Sequence, residues 1–540
     1  MMQSAGTPIL VLREGSEREK GKGATSSNVA AAKAIADTVK STLGPRGMDK
    51  MLVGGMGDIT ITNDGVTILK ELEVEHPAAK MMVEVAKTQD QQCGDGTTSA
   101  VVLAGEFLKR SEPLLDQNVH PTVLTRGFSV ALQEAERILK EEIGIPVKDD
   151  DTSGLVTVAN TAMNSKGVDG KEGLAEKVVK AVKTIAEKRD HRTVADVTLV
   201  QIVKKTGGTI SDTELIDGLV LDKERGHPRM PKEIKNAKIA LLNSALEIKK
   251  TEFESKINIK SPGQIQNFLD EEDRTFREYV DRVKGAGANV VICQKGIDDV
   301  VLHYLAKAGI YAIKQVKESD MQKLARATGA RVVTGVRELT PKDLGSSAKV
   351  EEKKVGDSDM TYVTGCNNAR SVCLLIRGGT EHVADEVERS LQDALKVVSA
   401  TVEDGFICPG GGATEMELAI KLRKFAPTVG GREQLAVEAF AQALEVIPWA
   451  LTENAGFDAI NTIIELRQAH ESGHKNAGVN IENGKTQDMV ERKILEPLRV
   501  KTQALSSATE AANMVLRIDD VIASRKSGGA GPMPGGHSHD

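Results

Sequence analysis

The sequence predicts a multidomain fold, α-rich at both ends and α/β in the middle, and three observations carry that expectation. The chain has 540 residues, well beyond the ~250–300 at which one hydrophobic core stops growing. Helical periodicity dominates both terminal stretches. Between them, residues 285–335 alternate short apolar runs with amphipathic segments, the pattern of a parallel sheet with covering helices. The two helical ends therefore read as one domain, interrupted by a domain inserted in the middle.

In chain order, residues 28–43 place Ile35, Val39 and Leu43 four apart on one helical face. Ser26 and Ser27 offer an N-cap, and Gly44-Pro45 a stop. Ile59 and Ile61 alternate with Thr60 and Thr62 as in a strand, and Asn63-Asp64-Gly65 turns the chain. A helical pattern from about Ala78 breaks at Gly94 and Gly96, ahead of a new helix. KIALLNS (238–244) reads as a strand, followed by a charge-rich insertion from about Thr251 to Arg277. Ile257 and Ile259 alternate in the first half of the insertion. Ile265, Phe268 and Leu269 share a helical side in the second. The central pattern then runs strand NVVIC, helix IDDVVLHYLAKAG, strand IYAIKQV, helix SDMQKLARATG, strand ARVV. Residues 380–402 form a helix with Val383, Val387, Leu391, Val398 and Val402 on one stripe, and Pro409–Gly412 breaks it. Helices continue to about residue 525, and the tail SGGAGPMPGGHSHD is Gly/Pro-rich and expected to be disordered.

Composition excludes several function classes. Aromatics make up only 3%, so the core must rest on Ala, Val, Ile and Leu. A net charge of -7 provides no broad basic surface for nucleic acid. No run of 18 apolar residues suits a membrane span. The N-terminal segment has no basic stretch ahead of its apolar patch, unlike a signal peptide. Cys93, Cys293, Cys366, Cys373 and Cys408 form no C-x-x-C pair. They read as free, mostly buried thiols in a reducing compartment such as the cytoplasm.

The chemistry concentrates in glycine turns. Gly94, Asp95, Gly96, Thr97 and Thr98 open a helix. Glycines let backbone approach a phosphate, and the helix start supplies free N–H donors and the positive dipole end. Asp95 among anion-binding groups would repel a phosphate unless a cation intervened, which suggests Mg²⁺. Three further turns, Thr42-Leu43-Gly44-Pro45, Asn63-Asp64-Gly65 and Pro409-Gly410-Gly411-Gly412, also end regular elements. Singly, each is a routine turn. Two other motifs mislead. His470-Glu471-Ser472-Gly473-His474 fits H-E-x-x-H, but Gly473 and the following Lys475-Asn476-Ala477-Gly478 read as a helix end. Asn483-Gly484-Lys485-Thr486 ends like a phosphate-binding P-loop, yet position 479 is Val where that pattern needs Gly.

Together the segments TLGPRGMDKMLV (42–53), ITITNDGVTILKE (59–71), QDQQCGDGTTSAVVLAGE (89–106), MNSK (163–166), VEDGFICPGGGATE (402–415) and ILEPLRVK (494–501) resemble the group II chaperonins, over roughly residues 8–525. The tail favours the archaeal thermosome type over the eukaryotic paralogues. The resemblance implies a double-ring, ATP-driven folding chaperone and ATPase, with ATP/ADP and Mg²⁺ as ligands. It implies an equatorial domain (1–150 and 408–540), an intermediate domain (151–222 and 374–407) and an apical α/β domain (223–373) with a helical lid at about 251–277. Leu43, Gly44 and Pro45 would lie against the phosphates, and Gly94–Thr98 would be the phosphate loop with Asp95 as metal ligand. Asp64 and Asp393 would position the attacking water, and Lys166 would sense the γ-phosphate. Gly411 or Gly412 would touch the ribose or base side, with Asn480 and Glu496 near the adenosine end. Implied partners are unfolded proteins and identical or homologous subunits, with no separate lid protein, nucleic acid or membrane. The competing reading is a catalytically silent subunit of the same ring.

Overall fold

A computed structural model describes residues 17–55, 57–148, 151–164, 173–189, 192–247, 262–366 and 371–523. The chain divides into two compact units: residues 1–144, 408–494 and 500–540, and residues 145–407 with 495–499.

The first unit is a helical bundle. Lys22–Lys40 and Pro77–Cys93 pack on Thr97–Asp116, and Glu433–Leu444 packs on Pro121–Ile138 and Ala413–Val429. With few aromatics available, three are pooled: Phe107 stacks on Phe440 at 4.3 Å, and Phe128 meets both rings within 5.8 Å. All three are fully buried, and truncating any one to Ala costs about 3–5 kcal/mol. Residues 433–454 are long and apolar enough to cross a membrane by length and composition, but most of this stretch is buried inside the bundle.

The first helix begins at Lys22, ahead of the Ser26/Ser27 cap the sequence offers. Ala24 is fully buried, and Gly21 N–H donates to the Asp519 carbonyl at 2.7 Å. Tertiary packing thus extends the helix through weak helix formers. Two pairings were not legible in sequence. Glu17–Lys20 pairs antiparallel with Asp520–Ala523, and Ile59–Thr62 forms a hairpin with Lys50–Val53. In that hairpin Met51 faces Ile61 and Val53 faces Ile59, and all four are more than half exposed.

The second unit is built on a nine-stranded mixed sheet. The central pattern appears as expected. Val290–Cys293 lies parallel to Tyr311–Ile313 and to Glu233–Leu242, which also pairs with Val332–Val333. Side chains alternate between two buried layers. Ile239, Leu241, Val290 and Ile292 enter one, while Ala240, Leu242, Val291 and Cys293 enter the other. A sheet covered on both faces reads as continuous apolar runs, which is why these strands were visible in sequence. The rest of the sheet was not. Gly345–Val355, Ser358–Cys366, Glu214–Leu221 and Val372–Gly378 pair antiparallel, and Val200–Thr206 adds a parallel edge. A separate core joins Leu155, Val178 and Val182 to Val372, Leu374, Leu391 and Val398.

The insertion resolves into a helix, Pro262–Gly285, whose last turns enter the sheet core through Phe276, Val280 and Val283. The strand expected at Ile257 and Ile259, the side chains of Ile265, Phe268 and Leu269, and the C-terminal tail lie outside the described residues. The helix Glu381–Asp404 matches its expected span and is capped by Thr380. Its buried stripe differs at the N-terminal end: Ala384 is buried and Val383 is 38% exposed. A strict four-residue spacing overshoots the 3.6-residue turn, so the ends of such a stripe drift off the packed face.

The five cysteines are thiols; Cys93, Cys293, Cys373 and Cys408 are buried and Cys366 partly so. Burial pushes the Cys293 and Cys366 thiols up to about 11 and Cys373 up to about 12, so all three stay protonated and unreactive.

Candidate functional site

The glycine turns lie in the first unit, each held by a close neighbour. Leu43 lies in the turn after the helix Lys22–Lys40, its carbonyl accepts from Asn454 Nδ2 at 2.9 Å, and the same amide nitrogen donates to the Lys40 carbonyl at 3.0 Å. A Cβ on Gly44 (φ 84°) would sit 2.4 Å from Leu451 Cδ2. Three residues back on the same short helix, Val446–Asn454, Pro448 presses on Gly412, where a Cβ would lie 2.7 Å away. Val446–Asn454 therefore brings the Gly44 and Gly412 turns together.

Asp64 caps the helix Gly65–Glu71: its Oδ2 accepts from Thr67 N at 3.0 Å and from Thr67 Oγ1 at 2.7 Å. The carboxylate is nearly buried and fixed in direction. Gly65 abuts the start of the helix Thr97–Asp116 so closely that a Cβ would meet Thr98 Oγ1 at 2.5 Å. This contact joins the Asp64 turn to the Gly94–Thr98 loop. In that loop Gly94 and Gly96 are left-handed, and Asp95 Oδ1 accepts from Gly96 N at 2.6 Å. Buried Gln89 supports it by donating Nε2 to the Asp95 carbonyl at 2.8 Å. The helices that follow, Thr97–Asp116 and Ala413–Val429, both start at left-handed glycines without a side-chain cap. Ala413 N donates to the Gly410 carbonyl at 3.1 Å, and no side chain caps the N–H groups that follow at either start.

Gly411 fits beneath Met489 and accepts from Val479 N at 2.9 Å, which places Asn480 beside the glycine turn. The Asn480 side chain is occupied locally, accepting from Glu482 N and donating to Gln487 Oε1, each at 2.9 Å. It shapes the 480–487 turn. Asn483–Thr486, the P-loop look-alike, is part of the same turn.

Not every expected residue joins this cluster. Glu496 lies on the strand Leu495–Pro497 and, with residues 495–499, belongs to the second unit. Asp393 lies in the second unit too, and is only 9% exposed. Lys166 lies outside the described residues. Gln89, Pro448, Leu451 and Asn454 escaped sequence reading. Only Gln89 falls within a quoted segment, as the first residue of 89–106, five residues ahead of Gly94.

The H-E-x-x-H match dissolves in the fold. Its helix ends at Glu471, and buried His470 has both nitrogens engaged, Nδ1 with Glu417 Oε2 at 2.6 Å and Nε2 with the Ala477 carbonyl at 2.7 Å. Burial alone would push the Glu417 carboxyl up, but hydrogen bonds and charge from His470 and Lys421 outweigh it and hold the carboxyl below its usual range. A depressed carboxyl adds stability above the unfolded value of about 4.3, lost as pH falls through the folded value. Glu417→Gln should therefore flatten the acid limb of a thermal-midpoint versus pH curve below about pH 5. An acid limb identical to wild type would remove Glu417 from the account.

The comparisons agree with the geometry. A model of the TCP-1/cpn60 chaperonin family matches residues 35–526. The chain is 56% identical to thermosome subunit alpha of Thermoplasma acidophilum over 99% of both chains. It is 55% identical to the thermosome subunit of Pyrococcus horikoshii, over 97% of this chain and 96% of that one. A solved open-state monomer of a group II chaperonin from Methanococcoides burtonii superposes with a TM-score of 0.61 at 45% identity, covering 79% of this chain and all of the other. The chain belongs to the TCP-1/cpn60 chaperonin family, as a group II chaperonin subunit of the archaeal thermosome type.

Proposed function

We propose that the chain binds ATP on the glycine turns of the first unit and hydrolyses it to drive protein folding. Group II chaperonins are ATP-dependent folding chaperones, and this chain is one of them. The observation that carries the site is the gathering of four glycine turns around two uncapped helix starts. Rows of free N–H groups at helix starts suit phosphate.

Asp95 fits a metal-ligand role. It stands in the phosphate loop, with its backbone carbonyl held by Gln89 Nε2 and its Oδ1 held by Gly96 N–H. Magnesium held there would neutralise charge on the phosphate oxygens. The remaining work falls to side chains of this chain. Asp64 and Asp393 orient a water molecule and accept its proton, and Lys166 places an ammonium near the terminal phosphate. Leu43, Gly44 and Pro45 wall the phosphates, Gly411 and Gly412 face the nucleoside, and Asn480 and Glu496 stand at its adenosine end.

By this reading, residues 1–150 and 408–540 are the equatorial domain. The core around Leu155, Val178 and Leu391 supports an intermediate domain at 151–222 and 374–407. The two-layered sheet supports an apical domain at 223–373. Its partners are unfolded proteins and identical or homologous subunits in stacked rings in the cytoplasm, without a separate lid protein. The hairpin face of Met51, Val53, Ile59 and Ile61 is apolar enough to be covered by a neighbour. The protonated thiols suit a reducing compartment.

Asp95→Asn tests the site, because it removes charge and keeps shape. Calorimetric titration should show nucleotide affinity that no longer responds to Mg²⁺. A titration matching wild type with and without Mg²⁺ would count against Asp95.

A further inference from the structure

Val500 and Lys501 are adjacent in sequence and touch the two nucleotide-facing helix starts separately. On one side, fully buried Gln89 donates Nε2 both to the Asp95 carbonyl at 2.8 Å and to the Val500 carbonyl at 3.2 Å. Gly96 lies so close that a Cβ would stand 2.7 Å from Val500 Cγ1. On the other side, Lys501 Nζ pairs with Glu415 Oε1 at 2.9 Å, and both side chains are more than nine-tenths buried. Glu415 sits in the first turn of the helix that Gly412 opens. Thr414 Oγ1 ties that turn down by donating to the Pro409 carbonyl at 2.8 Å.

Stability does not account for these contacts. Desolvating two charges offsets most of their attraction, and apolar pairs of similar volume are often at least as stable. Glu415 Oε2 is moreover buried without a hydrogen-bond partner among the described residues, as is Gln89 Oε1, a further cost. What the arrangement does provide is fixed distances. Two carbonyls, a methyl contact and a buried ion pair set the phosphate loop and the Ala413 helix at one spacing.

We propose that Gln89 and the Lys501–Glu415 pair form a positioning clip, which holds the Gly94–Thr98 loop and the start of the Ala413 helix in register for one nucleotide. The inference rests on the nucleotide-site reading above. None of the three needs to touch the nucleotide; each acts through backbone that does.

The test is calorimetric binding of ADP with Mg²⁺ to the assembled full chain, beside its thermal midpoint. The double variant Lys501→Met, Glu415→Leu replaces the ion pair with apolar groups of similar volume. It should keep or raise the thermal midpoint yet bind about tenfold more weakly, the scale of one charge-assisted hydrogen bond. Lys501→Arg, which keeps the charge, should recover most of that loss. Gln89→Met should also weaken binding about tenfold at an unchanged midpoint, and it decides the matter if the double variant does not fold. Wild-type affinity in the double variant or in Gln89→Met overturns the clip. So does weaker binding that only tracks a lowered midpoint. A wild-type chain that binds no ADP overturns the nucleotide site itself, and the clip with it.

Discussion

Asp393→Ala is expected to bind ATP nearly as wild type does and to hydrolyse it about 10²–10⁴-fold more slowly, the range for loss of a general base. Phosphoryl transfer asks little covalent chemistry of the protein; it needs a positioned water and neutralised charge. A carboxylate that orients the water acts mainly in the transition state, so its loss lowers turnover and spares affinity. Asp393 suits that role because its helix is anchored on both sides of it. Leu391, Ala394 and Leu395 are buried in the second unit's core. Asp393 itself is nearly buried. Single-turnover measurements separate binding from chemistry. A purified variant with wild-type turnover would remove Asp393 from the mechanism.

The second large effect concerns the insertion. Replacing residues 252–277 with a short Gly/Ser linker should abolish encapsulation while leaving assembly and ATP turnover largely intact. The insertion leaves the sheet after Glu233–Leu242 and returns at Val290–Cys293, strands that are themselves neighbours in parallel register. The sheet can thus close without it. The returning helix keeps its own anchor, since Val280 and Val283 lie beyond the deletion, although Phe276 is lost. A bound unfolded protein should stay protease-sensitive under closing conditions. Substrate protection equal to wild type in the deleted form would exclude a lid.

What the sequence disclosed follows physical lines. The parallel half of the sheet was legible because burial on both faces makes each strand a continuous apolar run, bounded by turn residues. The antiparallel half was hidden. Gly345–Val355 reads GSSAKVEEKKV, and its pairing with Glu233–Leu242 and Ser358–Cys366 is what makes it a strand. Glu17–Lys20 reads EREK, and only its far partner Asp520–Ala523 orders it. The glycine turns stood out because backbone close approach leaves a compositional mark. The side chains that hold them left none. Gln89 looks like one more polar residue on an amphipathic helix, and its partner Val500 is 411 residues away. Asn454 serves the Leu43 turn across a similar distance.

ATP turnover by the purified, assembled chain tests the nucleotide site most directly. Phosphate release should be sustained, should require Mg²⁺ and should fall sharply in Asp95→Asn and Asp393→Ala particles of normal assembly. Well-assembled wild-type particles that bind ATP but release no phosphate would contradict this expectation, and would mark the chain as a silent structural subunit of its ring.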